Sequence, residues 1–379
     1  MSTITHVCLL DNDPIPAITP LIDKSIDSHG VIFAYLPEHK AVAERIEQHI
    51  KSRGIKVAHW LLPESLDVDT HIQSFSQLLE QHQEDELWLN ASCGNRHTNL
   101  AAYEVFRFND KPIFCVDRKT DMVSWLCADH QQNVQVSDSI KIRHYLEAYG
   151  ATQTGGGKGQ VIKREVLQLA ERWAKQSKQL QYAIRALNYL AKSAETDQLL
   201  SEPMTNKQLK DSLLQILIDE LIDLEYCQVI DNCLQFTDEE SRFFANGGWL
   251  EVYTYSVIKK LRAKTQTMHD DDISVEVERN TPLGVVKNEL DIAFLNNNKL
   301  YLIECKTKKF RSGEGNGVIY KLDSLVELLG GLQAKGMLVS YLPLAKYEKA
   351  RAKDLGIEVV EFQSISQLEQ RISHWIHQA

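Results

Sequence analysis

Glu289-Leu290-Asp291-Ile292-Ala293-Phe294-Leu295-Asn296-Asn297-Asn298-Lys299-Leu300-Tyr301-Leu302-Ile303-Glu304-Cys305-Lys306 decides how the C-terminal part of the chain folds. Two apolar runs flank an asparagine cluster, which reads as a hairpin because Asn tolerates the positive φ angles of a two-residue turn. With Asn297-Asn298 as that turn, Asn296 pairs with Lys299, and counting outward brings Asp291 opposite Glu304. Opposed residues hold their Cβ atoms about 4.5–5.5 Å apart on one face. Lys306, two residues beyond Glu304, projects from that same face.

Two carboxylates facing each other among apolar residues repel, and desolvating both is costly. A divalent cation between them relieves the conflict. Hard oxygen ligands beside a lysine suit magnesium or manganese, which retain water ligands and bind phosphate. Such an ion polarises a scissile phosphate and lowers the pKa of a bound water. Lys306 would hold or deprotonate that water, or neutralise charge building on the phosphate. A hairpin edge charged only against aggregation would scatter its charges. Here Asp, Glu and Lys converge on one face while Ile292, Leu302 and Ile303 stay apolar.

Outward from the hairpin, the pattern predicts a helix over Trp249–Leu261, a strand over Ile273–Glu278, and a helix over Val318–Gly330. Met337–Leu342 and Ile357–Phe362 follow as strands, with helices over Lys346–Leu355 and Ile365–Ile376. This α/β unit resembles the PD-(D/E)xK nuclease superfamily from the Gly247-Gly248-Trp249 turn to the end of the chain. Asp291 matches that family's acidic residue after the first hairpin strand, and Glu304-Cys305-Lys306 its (D/E)xK; Leu290 stands where the family's leading proline would be. The family commonly adds a glutamate from the preceding helix, a role the resemblance gives to Glu251. The implied catalytic set is Glu251, Asp291, Glu304 and Lys306, with the three carboxylates holding the metal. Glu289, on the face of Asp291, is either a further ligand or an exposed strand glutamate. Lys308, Lys309 and Arg311 leave the site as a basic strip that Lys321 on the next helix would join, suited to a phosphate backbone.

Residues 1–152 alternate strand and helix. Thr5–Leu10, Val31–Leu36, Lys56–Leu62, Leu87–Ala91 and Pro112–Val116 are short apolar runs separated by amphipathic stretches such as Glu38–Arg53 and Asp69–Gln83. That beat implies a mostly parallel, Rossmann-like sheet covered on both faces, with Met122–Cys127 added as a hairpin strand. Thr154-Gly155-Gly156-Gly157-Lys158-Gly159 reads as a flexible linker. Residues 153–240 then form a helical connector. It ends in a winged-helix-like unit, with Thr205 capping a helix over Asn206–Leu224 and an Asp231-Asn232 turn joining Cys227–Ile230 to Cys233–Phe236. The acidic character of that helix (Asp219, Glu220, Asp223, Glu225) favours a structural role over DNA reading. Residues 241–379 are the third unit.

In a Rossmann-like sheet, ligands bind beyond the C-terminal strand ends near the switch in strand order. Leu10-Asp11-Asn12-Asp13-Pro14 follows the first strand and lacks a Gly-x-Gly-x-x-Gly, which disfavours a dinucleotide cofactor. Asn90-Ala91-Ser92-Cys93-Gly94-Asn95-Arg96-His97-Thr98-Asn99 leads into a helix whose N-terminus favours phosphate. A Rossmann-like module with an Asn-x-Ser-x-Gly-Asn loop, joined through helices to a PD-(D/E)xK unit, resembles the CRISPR-associated Rossmann-fold (CARF) ancillary nucleases over the full length. That resemblance implies a homodimer that binds a cyclic oligoadenylate, expected as the tetra-adenylate ring, across a two-fold axis. Binding then activates cleavage of single-stranded RNA and DNA. Carried onto this chain, the ligand contacts are Asp11, Asn12, Asn90, Gly94, Asn95, His97 and Thr98, with Arg96 and His97 suited to adenine stacking or phosphate contact.

The bulk properties set limits on these readings. A length of 379 residues calls for two or three domains. A net charge of -10 argues against coating nucleic acid over the whole surface and requires a confined site. The absence of a long apolar run or a basic-apolar leader leads us to expect a cytoplasmic protein with no membrane contact. Seven cysteines without a Cys-x-x-Cys pair read as buried thiols. The competing reading is a non-enzymatic ligand-sensing regulator with a degenerate nuclease fold.

Overall fold

The computed structural model describes residues 4–23, 26–128, 131–157, 159, 161–196, 198–310 and 314–377. Strands β1 (Ile4–Leu9), β2 (Gly30–Tyr35), β3 (Lys56–Leu61), β4 (Glu86–Asn90) and β5 (Ile113–Asp117) are parallel, and β6 (Met122–Cys127) and β7 (Val134–Gln135) extend the sheet antiparallel. The strand order is β3-β2-β1-β4-β5-β6-β7. Alternate residues of β1 serve different cores. Val7 and Leu9 pack with Phe75, Ala101 and Phe106 of α3 (Val68–Gln81) and α4 (Arg96–Phe108). Cys8 packs with Ile18 and Ile46 of α1 (Ile15–Ile22) and α2 (Lys40–Lys51). The order reverses between β1 and β4, so the loops after these two strands lie side by side, as the Rossmann reading requires.

The second sheet has, from edge to edge, β15 (Glu358–Glu361), β14 (Lys335–Ser340), β13 (Lys299–Lys306), β12 (Gly284–Asn296), β11 (Met268–Thr281) and β8 (Ala151–Gly155). Its central hairpin is β12 (Gly284–Asn296) and β13 (Lys299–Lys306), paired from Asn296↔Lys299 to Ile292↔Ile303. Asn297 and Asn298 take φ of 47° and 49°, the turn that the sequence predicts. β11 (Met268–Thr281) pairs with β12, while β14 (Lys335–Ser340) and β15 (Glu358–Glu361) add in parallel beyond β13.

β8 (Ala151–Gly155) is the edge strand beside β11, and it corrects the linker reading. Gly157 N–H donates to Ile273 O at 2.7 Å, so the glycine-rich stretch starts as part of the sheet, and the boundary drawn after residue 152 cuts a strand. Here glycine serves close approach rather than flexibility. A Cβ on Gly155 would stand 2.7 Å from Glu276 Oε2, and one on Gly156 2.6 Å from Asp272 Oδ2.

α5 (Ile142–Ala148) precedes β8, and α6 (Arg164–Lys175) and α7 (Ser177–Ser193) follow it. Next comes the winged-helix-like unit: α8 (Asn206–Leu209), α9 (Ser212–Asp223), β9 (Cys227–Ile230), β10 (Cys233–Phe236) and α10 (Glu239–Phe243). Thr205 and Gln208 form a capping box. The single helix expected over Asn206–Leu224 divides, because Asp211 accepts from Leu213 N and Leu214 N at 3.1 and 3.2 Å and starts a second helix. α11 (Trp249–Arg262), α12 (Glu314–Gly330), α13 (Lys346–Asp354) and α14 (Leu368–His377) complete the chain.

The two sheets share one core. Leu290, Leu295 and Leu300 lie in the same apolar cluster as Phe33, Tyr145 and Leu146. The hairpin turn is also docked on the N-terminal module. Asn298 Nδ2 donates to Asp121 Oδ2 at 3.3 Å and Ser137 O at 3.4 Å, and Lys299 Nζ donates to Lys119 O at 2.9 Å. Among the described residues no helix is long and apolar enough to cross a membrane.

The edge strand gives a first prediction. A fragment starting at residue 160 exposes the β11 edge, whereas one starting at residue 138 keeps α5 and β8. We expect the shorter fragment to melt more than about 5 °C lower and to aggregate more readily. Equal melting temperatures for the two would show that β8 contributes nothing to the sheet.

Candidate active site and ligand loop

One step beyond Ile292↔Ile303, Asp291 and Glu304 face each other. Asp291 Oδ2 accepts from Cys305 N at 2.7 Å, tying that carboxylate to β13. Lys306 Nζ stands 2.6 Å from Glu304 Oε1 and 3.4 Å from Asp291 Oδ2, so the ammonium lies between the two acids. Both carboxylates are buried. Burial, then repulsion by Glu304, pushes the Asp291 carboxyl up to about 6, against relief from Lys306 and the Cys305 N–H. Burial alone would lower the Lys306 amine, but Asp291 and Glu304 outweigh it and hold the amine above its ordinary value.

Glu251 lies in the first turn of α11, buried. Burial and then the charge of Asp291 drive its carboxyl well above the ordinary glutamate range, with Glu289 and Glu304 adding to the effect and Lys306 opposing it. The three acids therefore sense one another. The helix that carries Glu251 is delivered by a widened turn over Phe244–Gly248, in which Gly247 takes φ +120°. A Cβ there would lie 2.2 Å from Thr307 Oγ1, so only glycine lets the turn run against the end of β13. The Asn188 amide of α7 lies 3.0 Å from the same Thr307 hydroxyl, bracing the residue after Lys306.

Ser274 is a feature with no sequence signal. It sits across from Asp291, between the pairs Ile273↔Ile292 and Val275↔Leu290, with φ +50°. A left-handed serine inside a strand is backbone distortion next to the paired acids, of the kind that clusters at functional sites. Glu289 is exposed.

Buried, mutually repelling carboxylate oxygens are the donor set that a hard divalent cation suits. Among the described residues no three His, Cys, Asp or Glu side chains already converge tightly enough to hold a metal, and the Lys306 ammonium takes the space between two of them. Lys308 and Lys309 are exposed on the segment leaving β13, and Lys321 is exposed on α12. Arg311 lies outside the described residues. Burial, then the nearby charges of Lys192 and Lys306, lowers the Lys308 amine. Lys192 on α7 therefore belongs to this basic surface, a neighbour that sequence distance hides.

At the other end of the molecule the β1 and β4 loops brace each other. Asp11 accepts from Asp13 N at 2.7 Å and from Gly94 N at 3.0 Å. Gly94 has φ +94°, and a Cβ there would meet Leu9 Cβ at 2.9 Å. Asn95 caps α4 by accepting from Thr98 N at 2.9 Å. Asn99 Nδ2 donates to the carbonyls of Cys93, Gly94 and Asn95. Asn90 is fully buried, with its amide donating to Pro16 O at 3.1 Å, and buried Thr98 donates to Asn95 O at 3.1 Å. These two side chains shape the loop from within, while Asn12, Asn95 and His97 reach the surface. The sequence reading missed Arg118, which reaches in from the β5–β6 turn. It pairs with Asp13 at 2.5 Å and Asp11 at 3.7 Å and donates to Ser92 O at 3.3 Å. Tyr149 OH donates to Asp13 Oδ1 at 2.5 Å.

The Asp291 shift carries a stability prediction with a definite sign. Its pKa is raised on folding, so metal-free folded protein binds more protons than unfolded chain between pH about 4 and 6. Its contribution to stability is thus favourable at low pH and is lost as pH rises through about 6. Asp291→Asn should raise the stability of metal-free protein at pH 8 by about 1–2 kcal/mol and change it little at pH 4. An equal or lower melting temperature for the variant at pH 8 would refute the repulsion described above.

Residues 238–379 match the model of the Card1-like endonuclease domain. Over its whole length the chain is similar to protein VC1899 from Vibrio cholerae, with TM-score 0.91 and 34% identity, covering 99% of this chain and 98% of that one. Can2 from Sulfobacillus thermosulfidooxidans, solved in complex with cyclic tetra-adenylate, has TM-score 0.83 and 28% identity over 98% of this chain and 99% of its own. A type III CRISPR defence DNA nuclease activated by cyclic oligoadenylate shares the fold, with TM-score 0.56 and 15% identity over 89% of this chain and 45% of that one. Comparison with curated protein sequences yields no match. By its near-full-length likeness to VC1899 and its Card1-like endonuclease domain, the chain belongs to the family of CRISPR-associated ancillary nucleases that join an N-terminal CARF module to a C-terminal PD-(D/E)xK domain.

Proposed function

We propose that the protein is a homodimeric endonuclease, activated by cyclic oligoadenylate, that hydrolyses phosphodiesters of single-stranded nucleic acid with magnesium or manganese. The observation that carries this reading is the convergence of Asp291, Glu304 and Lys306 on one face of a buried hairpin. Asp291, Glu304 and Glu251 would hold the cation, which when bound supplies Lewis acidity toward phosphate and a more acidic water. Lys306, released from its carboxylate partners, positions the attacking water and offsets negative charge at the phosphate. Lys308, Lys309 and Lys192 bind the flanking backbone; Lys321, exposed on α12, is the expected further contact.

The cyclic activator fits the paired β1 and β4 loops. Can2, similar over nearly its whole length, is solved with cyclic tetra-adenylate, which supports that ring size here. Asn12, Gly94, Asn95 and His97 line the accessible side, and Asp11, Asn90 and Thr98 fix the loop that presents them. A symmetric ring across a two-fold axis calls for a second copy of the chain. A signal has a short path from there. Arg118 joins the loop acids to the β5–β6 turn, and that turn holds Asn298 and Lys299 of the catalytic hairpin. A non-enzymatic regulator would need no lysine between paired buried carboxylates, so we favour the enzyme.

The test incubates the purified protein with labelled single- and double-stranded RNA and DNA, with and without manganese and cyclic tetra-adenylate. Glu304→Ala and Lys306→Ala should each reduce activator-dependent cleavage at least about 100-fold. Cleavage that survives both substitutions would place the chemistry elsewhere. Absence of cleavage by the unmodified protein under every condition would favour the regulator.

A further inference from the structure

A cavity of about 640 Å³ opens beside the carboxylates, and the phosphate chemistry above makes no use of it. Its walls come from the start of α6, the region around α10, and β11. Its lining includes Glu251 and Ser274, and Ser274 is the residue standing across from Asp291. The space is therefore bordered by one of the three acids, Glu251, and by the strand residue opposite a second. Its volume falls within the roughly 300–1,000 Å³ of small-molecule sites.

The lining is selective. Phe243, 41% exposed, lines the same cavity as the buried Glu251. Tyr226 lies near it, edge-on to Phe244 at 5.4 Å. Asp238 and Glu240 make one part of the lining acidic, and among the described residues Lys163 is its cation. Asp238 is committed to capping α10, accepting from Ser241 N at 2.8 Å and Ser241 Oγ at 2.7 Å. Glu240 is exposed at the cavity wall. An acidic wall repels phosphate, so the nucleic-acid backbone belongs on the lysine side, at Lys306 and Lys308. A flat, uncharged group with donor hydrogens suits an aromatic platform next to a carboxylate.

We propose that this cavity seats the base of the nucleotide adjoining the scissile phosphate. The base stacks on Phe243, and Glu240 accepts a hydrogen bond from its exocyclic amino group. The proposal rests on the nuclease reading and adds substrate selection to it. Adenine, cytosine and guanine carry such amino groups and uracil and thymine do not, so cleavage should favour the former at that position. Stacking on one aromatic ring accounts for an effect of roughly 5- to 150-fold per base by alanine substitution.

The experiment uses the full-length protein with cyclic tetra-adenylate and manganese on short single-stranded oligonucleotides. The cleavage position is first mapped, and an abasic nucleotide is then placed beside it. We expect Phe243→Ala to lower kcat/KM about ten-fold on intact substrate and to cause no further loss on the abasic one. Phe243→Tyr should restore the intact rate, and Glu240→Gln should reduce the preference for amino-bearing bases. A merely structural Phe243 would give additive losses on both substrates, which would overturn the seat. So would an unchanged rate for Phe243→Ala. If the unmodified protein cleaves nothing under any condition, the nuclease reading fails and this proposal falls with it.

Discussion

Repulsion between the two buried acids of the β12–β13 hairpin is the constraint around which the C-terminal half is built. Two like charges in an apolar setting are tolerated only if something positive lies between them, and in this chain that group is the Lys306 ammonium. The surroundings have to keep the hairpin in register against this internal stress. Ile292, Phe294, Tyr301 and Ile303 pack on one side, and Ala293, Leu295, Leu300 and Leu302 on the other, so both faces of the hairpin are clamped. A one-residue slip would turn every one of those side chains to the wrong core. The strain at the acids is therefore held in place by burial along the whole length of both strands.

The same logic explains which parts of the structure were legible in the sequence. The hairpin was readable because its register follows from a local turn, Asn297-Asn298, and a period of two. The Rossmann-like sheet was readable because apolar runs and amphipathic helices alternate without ambiguity. Local chemistry also gave the Asp231-Asn232 turn, whose φ values are 48° and 63°, and the Thr205 cap.

What escaped was non-local. The glycines of 154–159 carry the composition of a linker, but the neighbours that require Gly155 and Gly156, Glu276 and Asp272, are far away in the chain. Arg118 looks like an ordinary turn residue until the fold brings Asp11 and Asp13 to it. Lys192 meets Lys308 only because α7 packs beside the end of β13. Ser274 fails to register for a different reason: Ile273-Ser274-Val275 is good strand sequence, with no glycine or asparagine to announce the left-handed backbone at its centre. The interruption between α8 and α9 was visible in principle, since Asp211 followed by an apolar helical run is a helix start.

The docking of Asn298 and Lys299 onto the turn after β5 has a mechanical meaning. The turn of the β12–β13 hairpin is anchored in the neighbouring module, while its acid-bearing stretch is held in the sheet by β11 and β14, so one paired element links the two modules. A displacement at that anchor is passed along paired strands toward the acids, with no intervening loop to absorb it. Charge contacts at 2.6 and 3.4 Å are steep in distance. A molecule wired in this way can change its chemical readiness without opening a cleft or releasing a segment.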